Sequence, residues 1–124
     1  MLRMILVLLV TLLVFLGAGN LIAEDNNLSV TAPTELETGE PLEDLAAINF
    51  WHQVDGGDWT FLARVETTEP GSVVTYLHAN QFDGVHCYRA TAVRANGLES
   101  DPSNVACKTV DTILPGAPTG MTVR

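Results

Sequence analysis

From residue 28 onward the chain alternates apolar and polar residues in short bursts, each closed by glycine, proline, asparagine or aspartate. Period-two patterning of this kind predicts half-buried β-strands, and the breakers predict the turns between them. Residues 28–32 give the first such burst. Residues 33–44 carry Pro33, Gly39, Pro41 and five acids, and read as a loop with nothing to bury. Residues 45–54 form the next strand, with Ile48 and Phe50 turned to the core and Trp51 to the outside. Asp55-Gly56-Gly57-Asp58 is a hairpin turn. It leads into residues 59–65, where Trp59, Phe61 and Ala63 share one face and Trp59 is expected in the core. Glu69-Pro70-Gly71 breaks the chain before a β-branched strand over residues 72–77, and residues 80–84 turn again.

Residues 85–110 organise the rest. Asn96-Gly97 is a strong hairpin signal, because both residues tolerate positive φ. Cys87 lies ten residues before Gly97 and Cys107 ten after. Opposed residues of an antiparallel pair have a constant index sum, so this turn sets the two cysteines across from each other, where a disulfide can close. Alternation turns His86, Tyr88, Ala90 and Ala92 inward and Cys87, Arg89 and Thr91 outward, placing the disulfide on an outer surface near Trp51. Six or seven short strands without helical periodicity predict an all-β antiparallel sandwich.

The same stretch carries a family likeness. Tyr88-Arg89-Ala90-Thr91-Ala92-Val93, then Asn96-Gly97-Leu98-Glu99-Ser100, then Pro102-Ser103-Asn104, resembles the last two strands of a fibronectin type III domain, most closely the bacterial and phage versions. Leu28-Ser29-Val30-Thr31-Ala32-Pro33, followed by Gly39-Glu40-Pro41-Leu42 and Asp44-Leu45-Ala46, is similar to that family's second strand and loop. Val30 and His86 depart from it, standing where the family has a core tryptophan and a tyrosine. The resemblance implies an immunoglobulin-like sandwich and a non-catalytic extracellular module. Residues 115–119 with residues 121–123 resemble the opening of another such domain.

At the N-terminus, Arg3 precedes an almost unbroken apolar run over residues 4–19, the pattern of a hydrophobic signal or anchor helix ahead of the sandwich. Cleavage after Ala18, Gly19 or Ala23 and retention as a membrane anchor both stay open; either delivers the rest across the membrane. The chain therefore divides into residues 1–23, a signal peptide or signal anchor; residues 24–112, the fibronectin type III-like domain; and residues 113–124, a tail. Asp25-Asn26-Asn27 reads as a turn, which allows a first strand over residues 20–24. The alternatives for the tail are a frayed end and a spare strand, folding back on its own domain or adding through residues 114–124 to the next molecule. Asn27-Leu28-Ser29 matches the glycosylation acceptor pattern.

Charge narrows the partners. Fifteen acids against six Lys and Arg give a net charge of −9, which disfavours nucleic acid and anionic lipid. Two cysteines in an exported chain favour one disulfide over a metal site, and His52, His78 and His86 lack fixed ligand spacings, so no metal or cofactor is expected. No nucleophile motif, phosphate loop or zinc motif occurs, so the chain is not expected to be an enzyme. Asp55 and Asp58 read as turn residues before calcium ligands, and His86 as a hydrogen-bonded core histidine. Trp51 beside Arg89 is the expected binding surface, for a protein or a glycan. The expected role is an exported β-sandwich for binding, adhesion or surface structure, secreted, extracellular or periplasmic. The alternatives are a membrane-anchored envelope protein and a spacer domain of a secreted polysaccharide-active enzyme.

Overall fold

The computed structural model describes residues 23–124. The apolar N-terminal run, the expected helix there and the candidate strand over residues 20–24 fall largely on residues 1–22, outside the described residues. Six strands follow in order: β1 (Glu24–Thr31), β2 (Leu45–Val54), β3 (Thr60–Glu66), β4 (Val73–Gln81), β5 (Gly84–Arg94) and β6 (Ala106–Val110). They build two antiparallel sheets, one of order β1-β4 and one of order β3-β2-β5-β6. The chain is all-β among the described residues.

One core lies between the sheets. Ile48 and Phe50 of β2 and Ala90 of β5 face Val74 of β4, with Leu28, Val30 and Tyr76 packed around them. The Phe50 and Tyr76 rings stack across the layers at 6.0 Å. Burying each large side chain here contributes about 2 kcal/mol by apolar transfer. β2 and β5 form the longest ladder, from Leu45↔Arg94 to Val54↔His86, and they hold the sheet together.

Several boundaries differ from those that alternation and turn propensity predict. Asp25-Asn26-Asn27 is not a turn: β1 starts at Glu24 and runs straight through it, with a register shift between Glu24 and Asn26. Asn26 belongs there because its side chain is buried and bonded across to the other sheet, which local propensity cannot report. The loop of residues 33–44 does bury something: Leu42 is 6% exposed, and a Glu35↔Pro41 bridge folds the loop over the core edge. β4 extends to Gln81 rather than stopping at Leu77, leaving only Phe82 and Asp83 between it and β5. Trp59 is not in the core. The register of β2 on β3 shifts between Phe50 and Trp51, so Ala63 pairs with inward Phe50 while Phe61 pairs with outward Trp51. This β-bulge sends Trp59 and Phe61 to the outer face and leaves Ala63 on the inner one.

The turns follow their chemistry. Asp55 and Gly56 have φ of 50° and 73°, the tight hairpin turn between β2 and β3. The Asp55 carboxylate accepts the Val85 N–H at 2.7 Å, so it ties that turn to β5. Gly97, at φ 88°, reverses the chain, and Asn96 Oδ1 accepts the Leu98 N–H. Between this turn and β6 the ladder is replaced by serines. Ser100 and Ser103 donate their N–H groups to the Ala92 and Ala90 carbonyls, while their hydroxyls accept the Ala92 and Ala90 N–H groups. Each serine thus satisfies both backbone groups of one β5 residue, where Pro102 interrupts regular pairing.

Candidate functional site

The outer surface of the four-stranded sheet gathers the side chains that alternate away from the core. Trp51 on β2 lies opposite Arg89 on one side and Phe61 on the other. The Trp51 and Phe61 rings meet edge to face at 5.7 Å and 81°. The Arg89 guanidinium sits 4.3 Å from the centroid of the Trp59 ring. A cation over an aromatic face at a surface contributes about 0.5–1 kcal/mol, a bias of roughly two- to fivefold towards this arrangement. Phe61 is 54% exposed, whereas Trp51, Trp59 and Arg89 are half-buried. Both tryptophans of the chain therefore stand on one face, with a phenylalanine and an arginine between and beside them.

Hydrogen bonds fix this face from below. Trp51 Nε1 donates to Thr91 Oγ1 at 3.1 Å, and the Thr91 hydroxyl donates to Glu99 Oε1. The same carboxylate oxygen accepts from Asn49 Nδ2 at 3.2 Å. Glu99 reaches the sheet because the turn at residues 96–97 folds it back onto Val93. Trp51 and Arg89, the pair expected from alternation, are neighbours here; Glu99, Asn49 and the two other rings were not expected with them. Parity alone would have placed Asn49 and Thr91 on this face; Trp59 and Phe61 were concealed by the bulge.

Beside this face, Cys87 and Cys107 are partners in the β5–β6 ladder and are joined by a disulfide, with Cα atoms 4.0 Å apart. Cys87 lies opposite Gln53 on the other side, one step along the outer row from Arg89. The cross-link clamps the short edge strand β6 onto β5 next to the aromatic cluster.

A second cluster lies between the sheets at the opposite end from the turn at residues 96–97. His52 Nε2 and His86 Nδ1 are 2.9 Å apart, and His86 Nε2 donates to the Phe82 carbonyl at 2.7 Å. With the His86 proton on Nε2, its Nδ1 is the acceptor and His52 Nε2 the donor. The Tyr88 hydroxyl is shared between His78 Nδ1 at 2.9 Å and Asn26 Nδ2 at 2.8 Å. His52 packs against the rings of His78, His86 and Tyr88. Burial, followed by the neighbouring His78 and His86, pushes His52 down to about 4; burial and His86 lower His78 as well. Burial raises the Tyr88 hydroxyl, partly offset by the hydrogen bond from Asn26. The result is a polar seam joining β1, β2, β4 and β5. Among the described residues, no group of three His, Cys, Asp or Glu side chains is placed to hold a metal ion.

No family model, curated protein or solved structure matches the chain.

Proposed function

We propose that the chain is an exported, non-catalytic module of the fibronectin type III kind, which holds a protein partner on the outer face of the β3-β2-β5-β6 sheet. The observation that carries this reading is the convergence of Trp51, Trp59, Phe61 and Arg89 on one face. Tryptophan and arginine are among the residues most enriched where protein contacts concentrate their energy. Holding them rigid before contact lowers the entropy lost on binding. A protein surface fits better than a stacked sugar, because Arg89 already covers one ring face of Trp59 and Trp51 meets Phe61 edge-on.

The fibronectin type III assignment draws support from the strand order and from the hydrogen bonds made by its motif residues, Ser100 and Ser103 above all. Export draws support from the apolar run over residues 4–19 and from the disulfide, since such bonds persist in oxidising compartments. The non-catalytic reading draws support from carboxylates already engaged in holding the fold. Asp55 caps β5, Asp44 pairs with Arg94, and Asp83 accepts from Thr112.

The test compares the exported protein with the Phe61→Ala/Arg89→Ala variant, each immobilised and exposed to the extracellular fraction of the cells that make it. The expected result is a bound species that protease treatment destroys, with retention falling at least tenfold in the variant while its melting temperature stays within a few degrees. Equal retention by both forms would overturn the proposal. Loss on glycosidase but not protease treatment would replace the protein partner with a glycan.

A further inference from the structure

Among the described residues the two-stranded sheet is unpaired at its outer edges. β1 pairs only with β4, so the other edge of β1 presents unpaired backbone groups among the described residues. Beside that edge lies a cavity of about 890 Å³ between the sheets. Its apolar floor is Val30, Leu42, Leu45, Ile48, Ala90 and Ala92, and its rim carries four acids, Glu35, Glu37, Glu99 and Asp101, against one base, Arg94. An open edge over an apolar groove is the feature that strand addition uses: the backbone ladder supplies affinity and alternate side chains fill the groove.

The chain carries a segment of matching chemistry. Residues 113–124 belong to no strand, and Ile113, Leu114, Met121 and Val123 are 79%, 73%, 96% and 94% exposed. Met121 and Val123 are two apart, so in an extended segment both enter the same groove while Thr122 points away. From Thr112 onward the tail has no acid and carries Arg124, opposite in sign to the acidic rim. Pro115 and Pro118, three apart, turn their N–H-less nitrogens to opposite sides of an extended segment, so the added ladder falls on residues 119–123, beyond both prolines.

Geometry decides whose tail enters. β6 ends at Val110 opposite Gly84, and Lys108 is 3.2 Å from Glu24, so the tail leaves at the end where β1 begins. Thr112 is fastened there by its N–H to Asp83 Oδ1 at 2.9 Å. The cavity lies at the other end, around Val30, Thr31 and Val93. A tail returning to its own cavity would have to run parallel to β1 along the whole edge. A tail from a second copy stacked end to end enters at the cavity and runs antiparallel to β1, the better hydrogen-bonded arrangement.

We propose that residues 113–124 of one molecule complete the β1 edge of the next, giving head-to-tail association of this chain. The interface is heterologous, so it builds open chains, or a ring where the rotation closes, and not a two-fold dimer. The proposal is independent of the outer aromatic face, which remains exposed in such a chain.

Sedimentation velocity of the exported protein across a hundredfold concentration range tests it, read against Met121→Asp/Val123→Asp. The wild type is expected to show species beyond dimer that grow with concentration; the variant, altered only at exposed positions, is expected to stay monomeric with an unchanged melting temperature. Amide hydrogen exchange separates the remaining cases: residues 119–123 should gain protection as concentration rises. Protection that does not depend on concentration, meaning a tail folded onto its own edge, would overturn the proposal. So would a wild type that stays monomeric with an unprotected tail, or a variant that associates as the wild type does.

Discussion

His52 sits where the two sheets meet, and the groups facing it come from three strands: His86 and Tyr88 on β5, His78 on β4, with Asn26 of β1 behind Tyr88. Burial and the neighbouring histidines hold it neutral, with its proton affinity lowered from 6.5 to about 4. A base whose folded value is depressed binds protons more readily once unfolded, so acid favours unfolding. Its contribution to stability is complete above pH 6.5 and is lost as pH falls from there towards 4. Thermal melts should show a falling midpoint between about pH 7 and pH 4.5, and His52→Gln should flatten that fall; a wild-type midpoint constant over this range would contradict the assignment. The inward position of His86 was readable from parity along β5. The meeting of all three histidines was not, because β2, β4 and β5 are brought together by pairing between distant segments, and nothing local in the sequence fixes those registers.

Among the elements, the β5–β6 pair was the most legible, since two cysteines equidistant from Gly97 mark it within one short stretch; the turn alone does not set its register, because the Val93↔Glu99 bridge and the Cys87↔Cys107 pair are out of step across the serine segment. The strand over residues 45–54 was equally plain, because its apolar residues recur with the period of a strand. What stayed hidden was β3, where one extra residue opposite β2 reverses the faces read from alternation. The continuity of β1 through Asp25-Asn26-Asn27 was hidden too, because a tertiary hydrogen bond outweighs turn propensity there. The disulfide closes a sequence separation of 20, and a loop of that size contributes about 3 kcal/mol by restricting the unfolded chain. Urea unfolding of Cys87→Ser/Cys107→Ser should therefore show a loss of about that size, with β6 the first segment to exchange its amides. An unchanged midpoint would mean that β6 is held by other contacts.

On the scale of the whole molecule, the two sheets do different things. The four-stranded sheet carries the disulfide and presents the aromatic face; the two-stranded sheet closes the core on one side and, among the described residues, leaves its β1 edge unpaired. A net charge of −9 favours solubility and repels phosphate backbones, so contact is left to patches where rings and Arg89 break the acidic field. The proposed exported role requires a compartment outside the reducing interior of a cell, where the two sulfurs can stay joined. The most direct check is the intact mass of the protein recovered from an exporting host. The expected product is a translocated species two hydrogens lighter than its reduced form, with the apolar N-terminal run either removed, by cleavage after Ala18, Gly19 or Ala23, or holding it in the membrane. Protein retained inside the cell with two thiols free to react would contradict it.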